Sequence, residues 1–130
     1  MKILLCCFLL LPMFASASSQ AKMNYMINCQ GCHLADGSGL PGSVPSMKDF
    51  VGKFLSVAGG REFLVRVPGS ANSPLSDKEL AELLNWILTT MSTEQLGSDF
   101  KPYNAAEVGA LRANLLVDVD GTRARLVQGF

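Results

Sequence analysis

The sequence contains one histidine in 130 residues, which excludes most metal centres built from several imidazoles. It has no excess of charge of either sign. Lys and Arg number 11 against 11 Asp and Glu, so a basic nucleic-acid-binding surface is not expected. Charged residues make up only 17% against 48% hydrophobic, a balance that excludes a disordered chain. The length suits one modest domain and is too short for two cores of ordinary size. No β-type alternation of useful length occurs, which points to an all-α fold.

Long apolar runs are also missing, with one exception. Residues 3–11 form an unbroken apolar stretch, well short of the about 20 residues that span a bilayer. With Lys2 ahead of it, Pro12 behind it and Ala15-Ser16-Ala17 as a small-x-small site, residues 1–17 read as a secretory signal peptide. A buried core helix is the plainer alternative. Cys6 and Cys7 fall inside the run and would leave with the signal. The chain expected to remain, from residue 18, has no membrane span and carries ten basic and eleven acidic side chains.

It also keeps two of the four cysteines. In an exported protein a cysteine pair ordinarily suggests a disulfide, but Cys29 and Cys32 are three apart and the histidine follows directly. Cys29-Gln30-Gly31-Cys32-His33 matches the attachment signature of c-type haem. The spacing has a physical basis. The vinyl groups occupy one edge of a rigid ring, thiols three apart on one helical turn can reach both, and the next residue's imidazole is then held beneath the iron. Cys29 and Cys32 are therefore candidate anchors for one haem c, and His33 is the candidate proximal ligand of its iron. The competing readings are a strained redox disulfide, a thioredoxin-like site or half a zinc site. The thioredoxin-like reading needs a βαβ context, and the zinc reading needs further ligands, neither of which is present from residue 18 onward.

The likeness reaches beyond the motif. Residues 29–47, CQGCHLADGSGLPGSVPSM, resemble the haem-binding helix end, Gly-rich loop and Pro-x-Leu element of the class I cytochrome c family. Residues 67–91, VPGSANSPLSDKELAELLNWILTTM, resemble the loop and C-terminal helix that close that family's haem pocket. The resemblance implies a small all-α cytochrome c-like domain over residues 18–91 around one covalent haem, with residues 92–130 as an unmatched C-terminal helical extension. It also assigns Pro45 a role. In the family the carbonyl of this proline accepts a hydrogen bond from the proximal histidine, which fixes its tautomer and raises its basicity.

Periodicity fills in the elements. Met23, Met26 and Ile27 share one side of a short helix, from about residue 22, that leads into Cys29. Gly37, Gly39 and Gly42 mark a tight loop. Phe50, Val51, Phe54 and Leu55 suit a short amphipathic helix, Gly59-Gly60 ends it, and residues 61–67 suit another turn or two. Ser76-Asp77-Lys78-Glu79 is a capping box, and Leu80, Leu83, Leu84, Ile87, Leu88 and Met91 then recur at helical spacing. Asp77, Glu79 and Glu82 fit the acidic first turns of that helix. Trp86 suits either a contact with the N-terminal helix or an ordinary core position. Beyond a polar linker over residues 92–101, residues 105–114 read as a helix behind Asn104, and Asp120-Gly121 as a turn. Arg61 and Lys53 are candidate partners for haem carboxylates, with solvated surface charge as the simpler reading.

In electron-transfer members of the family, a Met-Pro element ahead of the C-terminal helix supplies the second axial ligand. This chain has Val67-Pro68 there, and valine cannot ligate iron. Met47, Met91, another group or none remain as distal ligands. The reading is a periplasmic monohaem electron carrier, not an enzyme, whose partners are redox proteins: a dehydrogenase upstream and an oxidase or another cytochrome downstream. The alternative is a five-coordinate haem module that binds a small ligand as a sensor, or a haem subunit of a larger oxidoreductase.

Overall fold

The computed structural model describes residues 15–130. Lys2, the apolar run with Cys6 and Cys7, and Pro12 lie outside the described residues. The fold is all-α. Helix α1 spans Ala15–Asn28, a 3₁₀ turn covers Val51–Ser56, and α2 (Gly60–Arg66) leads into the single turn α3 (Pro68–Ala71). Among the described residues the longest helix is α4 (Asp77–Met91), followed by a 3₁₀ turn at Thr93–Gln95 and by α5 (Ala105–Arg112) and α6 (Val119–Val127). Among the described residues the only β-type pairing is an isolated bridge between Leu40 and Val44.

The capping box predicted for α4 is formed. Ser76 Oγ accepts the Glu79 N–H at 3.3 Å, and the Glu79 carboxylate accepts the Ser76 N–H at 2.9 Å. Asp77 and Glu79 occupy its first turn, where negative charge meets the positive end of the helix dipole. Its leucine stripe is buried, with Leu80, Leu83 and Leu88 at most 2% exposed. Each such side chain contributes roughly 1.5–3 kcal/mol of transfer free energy.

Helix α1 packs against α4 through Tyr25 and Trp86, whose ring centroids lie 5.5 Å apart. Of the two roles open to Trp86, the contact with the N-terminal helix is the one observed. The described part of the helix runs from Ala15, not from near residue 22. Met23, Met26 and Ile27 do share a side, but it is the outward one, and they are about half exposed or more. The buried face is Ala21, Asn24 and Tyr25. The Tyr25 ring decides the rotation of the helix, because it meets Trp86 and its hydroxyl donates to the Leu34 carbonyl at 2.5 Å.

The C-terminal segment shares the same core, in which Tyr103 and Val108 are buried. Asn85 and Tyr103 exchange two hydrogen bonds, and the Tyr103 hydroxyl donates to the Arg61 carbonyl at 2.8 Å. Asp120-Gly121 is not a turn near the end but the first turn of α6, capped by Asp118, whose carboxylate accepts the Gly121 N–H at 2.9 Å. The cap bond draws this Asp-Gly pair into a helix.

Candidate functional site

Residues 29–33 continue the end of α1 as one further turn. The N–H groups of Cys29 and Gln30 both donate to the Tyr25 carbonyl, and those of Cys32 and His33 both donate to the Cys29 carbonyl at 3.1 and 2.9 Å. That turn puts both thiols and the imidazole beside a single cavity of about 340 Å³, within the size range of ligand and cofactor sites. The cavity lies between two walls. One is the motif and its loop, with Cys29, Cys32, His33, Pro45 and Met47. The other comes from α2, α3 and α4 and is almost wholly apolar, with Phe63, Leu64, Val67, Leu80, Leu83, Leu84, Ile87 and Leu88. Val51 and Phe54 contribute from the first 3₁₀ turn, and Val119, Asp120 and Arg123 from α6.

The loop owes its shape to glycine at two positions. Gly37 has φ +84°, and its carbonyl accepts the N–H groups of both Met47 and Lys48. At Gly39 a Cβ would collide with the Val44 carbonyl. Asp36 binds Ser38 and Lys48 across the same turn, and those hydrogen bonds hold its carboxyl well below the usual carboxylate range.

Burial sets the electrostatics of the motif. Both cysteines are free. Burial, and next the neighbouring Cys32, push the Cys29 thiol up to about 11, so it stays protonated and is a poor nucleophile. Burial lowers the His33 pKa, which keeps the imidazole neutral and able to ligate iron. His33 Nδ1 is buried without a hydrogen-bond partner, so the bond expected to the Pro45 carbonyl is not formed, although both residues line the cavity. An orphaned imidazole and two free thiols at an apolar slot are the residues a covalent haem requires. Among the described residues, no cluster of three or more His, Cys, Asp or Glu gathers to hold a metal ion in another way.

Other expectations fall differently. Arg61 is partly exposed but ion-paired, and it does not line the cavity. It forms a two-pronged ion pair with Glu107, at 2.5 and 2.8 Å, and stacks on the Tyr103 ring. Lys53 is exposed near the Phe50 ring. The cation that does line the cavity is Arg123, which the sequence reading missed. The missed signal was the spacing of Val119 and Arg123, one helical turn apart behind the Asp118 cap. Met47 lines the cavity and Met91 does not; its sulfur packs at Gly37 instead.

No protein-family model matches the chain. Two curated proteins are similar to it, both named cytochrome c-552 and both from Thermus thermophilus. The first is 35% identical over 134 aligned positions, covering 89% of this chain and 90% of its own. The second is 35% identical over 106 positions, covering 68% of this chain and 81% of its own. The alignments run to 134 positions against about 116 residues of this chain, and 106 against about 88. Each relative therefore has about 18 residues in the matched span with no counterpart here. Identity at this level over nearly the whole of both chains, in a helical fold that converges on a c-type attachment motif, establishes that the protein belongs to the monohaem c-type cytochrome family, with haem c and its iron as cofactor.

Proposed function

We propose that the protein is an exported electron carrier rather than a catalyst, working in the periplasm between a dehydrogenase and an oxidase or another cytochrome. Residues 1–17 would direct export and residues 18–91 hold the haem, with the extension 92–130 packed against them. The observation that carries this reading is the convergence of both motif thiols and the only histidine on one apolar cavity. Bound haem supplies the redox chemistry, one electron taken up and released at its iron. Cys29 and Cys32 would hold the ring covalently, so that an exported protein would not lose it by dilution. His33 would ligate the iron, and its Nδ1, unpartnered in this structure, would turn to the Pro45 carbonyl to fix the tautomer. The leucines of α4 with Phe63 and Leu64 of α2 exclude water, a lever on redox potential in such sites. Arg123 supplies a cation for a haem carboxylate.

The test is a spectroelectrochemical titration of the mature holoprotein. A reversible one-electron wave that follows the visible haem bands is expected, and haem bands that do not interconvert reversibly would sink the carrier reading. In the same titration Arg123→Gln is expected to lower the potential, because a cation beside the haem favours the reduced form. An unchanged potential would remove Arg123 from the site.

A further inference from the structure

The two cavity walls differ in what they offer a metal. Among the described residues that line the cavity, sulfur and imidazole groups belong to Cys29, Cys32, His33 and Met47. The first three are committed to attachment in the reading above, on which this inference rests. Met47 is tied to the His33 side. Its N–H donates to the Gly37 carbonyl at 2.8 Å, and its carbonyl accepts the Val51 N–H at 2.9 Å. The facing wall presents hydrocarbon from Phe63, Leu64, Val67 and Leu83, with hydroxyls only at Ser70 and Ser73. The Ser73 hydroxyl already donates to the Ser70 carbonyl at 2.9 Å. Met91 is held at Gly37, and Met23 and Met26 point outward from α1.

The facing wall is also fixed in place. Arg112 of α5 donates to the carbonyls of Ala71, Ser73 and Leu75 at 3.0, 2.7 and 2.8 Å. This clamp holds the connection from α3 to α4 against the body of the fold. The matched span is about 18 residues shorter than in either cytochrome c-552.

We propose that no side chain fills the sixth position of the iron, and that the α2–α4 wall leaves room for a small uncharged diatomic such as CO on the ferrous haem. The hydrocarbon of this wall admits neutral molecules, and the cation in the cavity, Arg123, comes from α6 instead. The side-chain donors in the cavity lining are the Ser70 hydroxyl on this wall, the engaged Ser73 hydroxyl, and Asn28 and Arg123 outside it. Val67, at the position where the resemblance expects a ligand, lines that wall instead.

The experiment is CO titration of the reduced mature holoprotein, followed by visible absorption, with a denaturing gel stained for haem on the same samples. Wild type and Met47→Leu should both show a saturable shift of the Soret band, and Val67→Met should lose it by placing a sulfur on the facing wall. A shift seen in Met47→Leu and absent from wild type would make Met47 the ligand and overturn the proposal. No shift in either, with haem retained on the gel, would overturn it by showing the position filled from elsewhere. No haem on the gel would instead defeat the attachment reading and the proposal with it.

Discussion

At the scale of single residues, the site rests on a few backbone and protonation requirements. Gly37 adopts φ +84°, and a Cβ there would lie 2.5 Å from Met91 Sδ. Gly37→Ala therefore strains the backbone and crowds a buried sulfur, and should cost about 2 kcal/mol, read as a lower denaturant midpoint of the holoprotein. An unchanged midpoint would show that the loop and Met91 adapt freely. His33 sets a pH dependence in the haem-free protein. Burial lowers its pKa below the ordinary 6.5, so the unfolded chain takes up the proton first. Its contribution to stability is complete above about pH 6.5 and is lost as pH falls toward the lowered folded value. Thermal melts of the haem-free protein from pH 7 to 5 should show a decline that His33→Gln makes shallower. An identical decline in the variant would assign it to the carboxylates.

At the scale of elements, legibility followed local signals. The motif turn, the loop glycines and α4 each carry their information within a few residues: a spacing, a positive φ, a capping box. The sequence reading therefore found them, and Cys29, Cys32, His33 and Pro45 line the cavity, whereas its candidates for the haem carboxylates, Arg61 and Lys53, do not. Features set by long-range packing were not legible. The rotation of α1 depends on Tyr25 meeting Trp86 far along the chain. Helix α6 has a glycine in its first turn and its apolar residues Val119 and Leu126 lie far apart, so no stripe announces it. Arg61 looked free because Glu107, its partner, is 46 residues away. The Arg112 clamp is of the same kind. Arg112→Ala leaves the Ala71, Ser73 and Leu75 carbonyls without that donor and should destabilise the fold by about 2 kcal/mol. Denaturant unfolding would register this, and a cost near zero would mean that water replaces the guanidinium fully.

At the scale of the whole molecule, the C-terminal segment completes the fold. Tyr103 and Val108 are 4% and 0% exposed in the shared core, and Phe130 meets Phe54, itself a cavity residue, with ring centroids 5.2 Å apart. A chain ending after Ser92 would uncover α2 and α4, and it should accumulate little folded holoprotein. Circular dichroism of the truncated protein matching wild type in helix content and melting temperature would refute that dependence. The molecule thus combines one attachment motif, one apolar slot and a C-terminal segment that packs on the core and, through α6, lines part of the slot. The most direct test is intact mass under denaturing conditions for the mature wild type, Cys29→Ala and Cys32→Ala, all produced in cells that carry out haem attachment. One haem should remain covalently bound to wild type and through a single bond, or not at all, in each variant. A haem-free wild type with Cys29 and Cys32 joined as a disulfide would contradict the assignment of these residues to haem.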